Sequence, residues 1–416
     1  MKLGTTYDPD RGDWGKPLTG LRILAAEHML ALPYATQLLA LLGAEVIKVE
    51  PPGGEGGRAA RPLVPMPDGG TIGATFARGN LNKSSLVLDL KNPAGRALFL
   101  DLVREVDVVA ENMRPGVMDR LGVGYADVAA VAPRVVYLSV SGFGNTTPSP
   151  YRTWPAYAPV AEAMAGLYEI AREPGLPPRP GIAGALDDLS AALFAAIGVL
   201  AALRHREVTG VGQYVDIAMF DSMLAMNDMA AQLWSLGLPP YVAGGRGTGI
   251  MATFRAADGY FLISVIREHQ LARLTATVGR PDWSTDPRLS DRGQWSEHVE
   301  DLFRPAIEEW AGSRTRLRVV EQLAAAGIPA APCNTMDDLV NDPHVQSHRM
   351  LVELPSAEGR TTLMPGNPIK MSRVGEGPLT MFPAAGQDTE RLLTSLLDLK
   401  ASEVDRLRDA GAFGPA

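Results

Sequence analysis

Short aliphatic runs alternate with helix-like stretches through the first half of this chain, and that alternation restricts the fold more than any other feature. Leu21-Arg22-Ile23-Leu24-Ala25-Ala26 reads as a buried strand, Pro33 to Leu42 as a helix closed by Gly43, and Ala44 to Glu50 as the next strand. Leu86 to Leu90 reads as a further strand, and Asn92-Pro93 supplies a cap and first-turn proline for a helix through Val103. Asp107 to Glu111, Arg134 to Val140 and Gln213 to Met219 continue as strands. This spacing predicts an α/β fold with a doubly wound parallel sheet covered by helices on both faces. Ligands on such sheets sit outside the carboxyl ends of the strands.

With 416 residues, 46% of them hydrophobic, the chain exceeds a single core of ~250–300 residues and points to two domains. The domain boundaries read as 1–218 for the first part of the large domain, 219–242 for a linker helix, 243–332 for a smaller α+β domain, and 333–416 for a return linker and the last part of the large domain. The linker helix starts from Phe220 and carries Met223, Met226 and Met229 three apart, a stripe that suits packing. A helical stretch from Ser296 to Trp310 carries Pro305 inside it, a breaking or kinking point.

Formal net charge is −8 and no run of Lys or Arg occurs, which leaves nothing to attract a nucleic acid or an anionic membrane. The single cysteine, Cys333, rules out an intrachain disulfide and a multi-cysteine metal cluster. His344 and His348 alone have ligand-like spacing, a spacing common on surface helices, so no metal is expected. The polar start of the chain and the lack of ~18 uninterrupted apolar residues point to a cytoplasmic protein.

The glycine and polar residues gather after the strands, in Pro51-Pro52-Gly53-Gly54-Glu55-Gly56-Gly57-Arg58 and in Asn112-Met113-Arg114-Pro115-Gly116. Neither is a G-x-G-x-x-G turn, and Glu27-His28-Met29-Leu30 after the first strand has no glycine, so no nicotinamide or flavin fingerprint is present. Asn112 and Arg114 read either as a solvated rim or as ligand contacts. Asp188 opens an apolar helix with members at 189, 193, 197 and 200 that would face a core. It reads as an N-cap or as a nucleophile kept ionised by the helix N-terminus, and the residues alone leave both open.

The motifs Leu18-Thr19-Gly20-Leu21-Arg22-Ile23-Leu24, Gly43 to Gly54, Asn82-Lys83-x-Ser85, Leu88-Asp89-Leu90-Lys91 and Glu111-Asn112-x-x-Pro115-Gly116 resemble class III CoA-transferases, the CaiB/BaiF family. So do Arg204 to Gln213, Asp258-Gly259-Tyr260 and Ala326-Gly327-Ile328-Pro329, and the resemblance runs from Leu18 to Leu397. It implies a Rossmann-like large domain built from both chain ends, a small domain between linkers, and a homodimer of interlocked rings. It further implies transfer of CoA from an acyl-CoA donor to a carboxylic acid, with coenzyme A arriving as substrate and no tightly bound cofactor.

The family's catalytic aspartate lies nine residues before the Ile-Gly that resembles Ile197-Gly198, which lands on Asp188 and not Asp187. That aspartate passes through a mixed anhydride and an aspartyl-CoA thioester. By the same resemblance Lys83, Asn112, Arg114 and Arg120 would bind CoA, His28, Leu30 and Tyr157 would face the acyl region, and Gly244, Gly245 and Gly247 would form a lid and oxyanion loop. Ser84 stands where the family often has a second basic residue. Leu30 stands where formyl-CoA transferases carry glutamine, which favours a more apolar acyl group among Met29, Leu30 and Leu32 over formyl or oxalate chemistry. Two rivals share the scaffold. The family's 2-methylacyl-CoA racemases have a His-Asp pair where this chain has Tyr157 and Ala158, and a non-catalytic CoA-binding protein would use Asp188 only as a cap.

Overall fold

The computed structural model describes residues 1–8, 15–170, 172, 175–181, 184–227, 229–237, 249–359 and 361–415. The chain forms two compact units, one of Met1–Leu167, Pro180–Asn227 and His344–Ala416, the other of Tyr168–Arg179 and Asp228–Pro343.

In the larger unit, strands β1 (Arg22–Ala26), β2 (Glu45–Glu50), β5 (Lys83–Val87), β6 (Val108–Glu111), β7 (Val136–Ser141) and β8 (Tyr214–Ala218) form one sheet in the order β5-β2-β1-β6-β7-β8. All five pairings are parallel. Successive side chains point to opposite faces, and both faces are apolar because both are covered. Ile23, Ala25, Val46, Val108 and Leu138 pack under the helices Ala31–Leu41 and Leu186–Thr209. Leu24, Ile47, Val49 and Val109 pack under Pro93–Val103 and under Thr389–Leu397 near the chain's end. Gly43 closes the first helix at φ +109°, where a Cβ would fall 2.5 Å from Lys16 Cβ.

Two short hairpins complete this unit: β3 (Leu63–Pro65) with β4 (Thr71–Gly73), and β12 (Leu351–Pro355) with β13 (Thr361–Pro365). The smaller unit contains β9 (Ile250–Ala256), β10 (Gly259–Val265) and β11 (Ala330–Pro332), all antiparallel, over a core with Phe254, Phe261, Trp283, Trp295 and Phe303.

Several expectations are corrected. The strand expected at Leu86–Leu90 runs three residues earlier, over Lys83–Val87. Its first half is polar yet buried, because Lys83 and Ser85 bond to buried carboxylates, so apolarity did not mark it. The helix expected from Phe220 to Leu236 is two helices, Met219–Met226 and Ala230–Ser235. The first ends at Asn227, whose Nδ2 donates to the Ala165 carbonyl at 2.6 Å. The stretch around Pro305 is a 3-10 turn (Arg292–His298), a π turn (Val299–Phe303) and an α-helix (Arg304–Ala311), the proline sitting in the first turn of the last, where its missing N–H costs nothing.

The long helix Leu186–Thr209 is also turned opposite to expectation. Ser190, Ala191, Ala195, Val199 and Ala202 are buried, while Leu193, Ile197 and Leu200 are 48%, 61% and 38% exposed. Small residues let it approach the sheet closely, and a Cβ on Gly198 would lie 2.9 Å from Val215 Cγ1. Among the described residues this is the one helix long and apolar enough to cross a membrane, but its small-residue face forms part of the core on the sheet.

Candidate functional site

β1 leads to β2 on one side of it, and β6 pairs on its other side, so the strand order reverses between β1 and β6. A crevice opens at that point, beyond the carboxyl ends of the strands. Its floor is the segment after β1. The Asn112 side chain, just past β6, accepts from His28 N and donates to His28 O, both at 3.0 Å. Lys48 Nζ donates to the Glu27 carbonyl at 3.1 Å, and Met29, held at φ +62°, donates its N–H to Glu55 Oε2 at 3.3 Å. Three separate elements thus fix the His28–Met29 backbone.

Beneath it lies a buried ionic cluster. Lys83 Nζ donates to Glu27 Oε1 at 2.6 Å, to the Pro33 carbonyl at 2.8 Å and to Asn80 Oδ1 at 3.0 Å. Lys48 lies 3.6 Å from Glu27 and 3.7 Å from Glu55. Burial alone would push the Glu27 carboxyl up, but the ammonium groups of Lys83 and Lys48 outweigh it and hold it below its ordinary value. Lys83, expected to bind CoA, has a fully buried side chain whose three donors are all used within this cluster.

A cavity of about 260 Å³ occupies the crevice, with His28, Leu30, Asn112, Arg114, Tyr157 and Asp188 on its wall. These six sequence-predicted residues come from four segments of the chain. Leu32 is buried away from the wall, and Arg120 lies exposed on the short helix Val117–Leu121 outside it. Gly244, Gly245 and Gly247 lie outside the described residues. Thr75 and Arg78, from a short helix Ala74–Gly79, also reach the cavity and had no marker in the sequence.

Asp188 is not the N-cap. That place belongs to Ala185 at φ 61°, and Asp188 is the third residue of the helix, among its unpaired N–H groups. Burial pushes its pKa up to about 6, with the Arg78 charge pulling down and Glu162 pushing up. Neighbouring Asp187 is fully buried and is pushed up to about 8, by burial first and then by Asp188; a bond from Ser190 acts against both. The Asp187 N–H donates to Glu162 Oε1 at 3.2 Å, while Asp187 Oδ2 is buried with no partner. At neutral pH Asp188 is therefore mostly ionised and Asp187 mostly protonated. Burial also holds the His28 imidazole below its ordinary value, against the opposing pull of Glu55, so it is neutral at pH 7.

Arg114 and Pro115 also line a second cavity of about 280 Å³, together with Glu111, Tyr125, Tyr137 and Tyr214. Burial pushes the Glu111 carboxyl up to about 7. Among the described residues no group of three His, Cys, Asp or Glu side chains could hold a metal.

Comparison with known proteins yields a consistent match. The sequence model of CoA-transferase family III matches residues 18–389. The beta subunit of succinyl-CoA–L-malate CoA-transferase of Chloroflexus aurantiacus is 34% identical over 94% of this chain and 97% of that protein. Acetyl-CoA:oxalate CoA-transferase of Acetobacter aceti is 35% identical over 86% of this chain and 89% of that one. The crystal structure of a CaiB/BaiF family protein from Brucella suis is 29% identical and superposes with a TM-score of 0.79, covering 92% of this chain and all of that one.

Proposed function

The chain belongs to CoA-transferase family III and is an acyl-CoA:carboxylate CoA-transferase, and from that premise we propose that the CoA group changes hands on Asp188. The ionised carboxylate attacks the donor thioester carbonyl, giving a mixed anhydride and releasing CoA thiolate. The thiolate attacks the aspartyl carbonyl, giving an aspartyl-CoA thioester and the free donor acid. The acceptor carboxylate then attacks that thioester, and the released thiolate takes the acceptor acyl group from the resulting anhydride. Asp188 ends as a carboxylate, and no water enters the balance.

The observation that carries this reading is a mostly ionised Asp188 on the wall of the switch-point cavity, in a first helical turn and near the Arg78 charge. Thioester and anhydride hydrolyse in water, so a site that works this way has to exclude it once substrate is bound. Arg114, exposed where the two cavities meet, and Arg120 suit the CoA phosphates as charge-assisted donors. The Asn112 amide, held against His28, sets the floor on which the thioester rests. The glycine loop at 244–247 belongs to this reading as lid and oxyanion donor. CoA arrives as acyl-CoA substrate, with no resident cofactor, in a cytoplasmic enzyme.

The acids named in the two relatives, malate and oxalate, each carry two carboxylates, which makes a dicarboxylic acid the substrate class we adopt. The reading also takes the protein as an interlocked homodimer. The exposed stripe Leu193, Ile197 and Leu200 on the long helix supports it, since a lone subunit would leave that stripe in water. Light scattering of the purified protein should give twice the mass of one chain; a monomer sinks that part.

The transfer itself is tested by exchange between an acyl-CoA and a free acid. Wild-type protein should exchange, and Asp188→Ala should lose exchange while still binding CoA. Near-normal exchange by that variant would refute the assignment. One observation favours a second reading: His28 and Asp188 line the same cavity, the two groups that an α-proton exchange would need. Solvent deuterium appearing at the α-carbon of a 2-methylacyl-CoA, without CoA exchange, would select it.

A further inference from the structure

We propose that Arg78 is the specificity-determining residue for the acid, its guanidinium receiving the carboxylate that does not react. The inference rests on the transferase reading above and assigns to one side chain the choice between dicarboxylic and monocarboxylic substrates.

Arg78 lies in the short helix Ala74–Gly79 and lines the same cavity as Asp188. Its charge acts on the Asp188 carboxyl. Its Nε is buried and has no hydrogen-bond partner, whereas the buried Lys83 ammonium donates to three oxygens and the Arg58 guanidinium to both oxygens of Glu50. A guanidinium N–H shut away from water without an acceptor carries a desolvation cost that a bound anion would relieve. Arg114, the other arginine on this wall, is exposed and shared with the second cavity, which suits it to the CoA phosphates. That leaves Arg78 for the acid.

Charge points the same way. The acceptor enters when Asp188 is a neutral CoA thioester, and its second carboxylate, taken out of water into the cavity, would be costly unless a fixed cation met it. Met29 and Leu30 give the wall an apolar stretch that suits a short carbon chain between two charged ends. The planar fork of a guanidinium meets a carboxylate with two parallel hydrogen bonds, an arrangement that neither an amide nor a methyl group can reproduce. A site built around such a pair rejects the uncharged isostere far more strongly than an apolar pocket rejects one methylene.

The test compares wild type, R78Q and R78K in CoA transfer from acetyl-CoA and from succinyl-CoA to malonate, succinate and glutarate, each paired with its monoamide. Wild type should prefer at least one diacid over its monoamide by about 100-fold or more in kcat/KM. Measured well above the pH inflection of Asp188, R78Q should cut that ratio below about 5-fold, its diacid rate falling far more than its monoamide rate, and R78K should recover part of the preference. An unchanged circular-dichroism melt shows that the variant is folded. Equal loss on both members of each pair, in R78Q and R78K alike, would overturn the assignment, as would a wild type indifferent to the second carboxylate. Absence of exchange with every acid in wild type would remove the transferase reading itself, and the assignment with it.

Discussion

The larger unit contains two buried groups of charged side chains built on opposite plans. Around Glu27, each carboxylate meets a cation: Lys83 at 2.6 Å, Lys48 at 3.6 Å, and on the neighbouring strand Glu50 with Arg58. At the start of the long helix lie Asp187, Asp188 and Glu162; the Arg78 charge acts on Asp188, and one oxygen of Asp187 has no partner. The first group is neutralised and fixes the backbone of the cavity floor. In the second, burial raises the pKa of both aspartates and neighbouring carboxylates add to it. The contrast separates charges that hold a structure from charges poised to react.

The largest effect should come from the second group. Asp188→Ala should lower CoA exchange by about 10⁴-fold or more, since no other group can carry the aspartyl intermediate. Its thermal stability should stay equal or rise, because a carboxyl held above its ordinary pKa is removed; a collapse in stability would place Asp188 with the structural charges instead. Lys83→Met should act in reverse. Removing one partner of a buried pair costs about 3–5 kcal/mol, and urea unfolding should show it. A variant as stable as wild type would end the distinction between the two groups.

A smaller effect is expected in the pH profile. Asp188 must be ionised to attack, so kcat/KM for the acyl-CoA should fall with an inflection near 6 as pH drops. In R78Q the cation that pulls Asp188 down is gone, so the inflection should move to higher pH, while burial and Glu162 still push it upward. An unmoved inflection would show that Arg78 does not act on Asp188.

The smallest effect concerns Asp187. Its pKa rises from 3.8 to about 8 on folding, so the folded chain holds a proton that the unfolded chain releases, and stability is lost as pH rises through that window. Asp187→Asn should therefore be about as stable as wild type at pH 4 and more stable at pH 8, read as a raised Tm at pH 8 alone. The same gain at both pH values would mean that the carboxyl is not being held protonated.

The sheet was legible in the sequence because buried parallel strands are nearly continuous in Val, Ile, Leu and Ala, and Ile23-Leu24-Ala25-Ala26 and Val108-Val109-Ala110 show this plainly. β5 was misplaced because its buried residues include a lysine and a serine, and a charge satisfied inside the protein looks on paper like a charge in water. The long helix was turned the wrong way for a related reason: the sheet takes its alanines, and its larger Leu193, Ile197 and Leu200 are left outside. Asp188, which lines the cavity, was singled out by its spacing from Ile197-Gly198, whereas Arg78 carried no such marker. Ala77-Arg78-Gly79 reads as an ordinary helix end, and only folding brings it beside the helix that begins more than a hundred residues later.

The central claim is that the Asp188 carboxyl becomes covalently bonded during turnover. Wild-type enzyme incubated with its acyl-CoA donor, quenched in acid and digested, should yield the peptide containing Asp188 carrying CoA as a thioester in mass spectrometry, and hydroxylamine should remove it. An unmodified Asp188 peptide in an enzyme that is turning over, or CoA attached to another residue, would contradict the account.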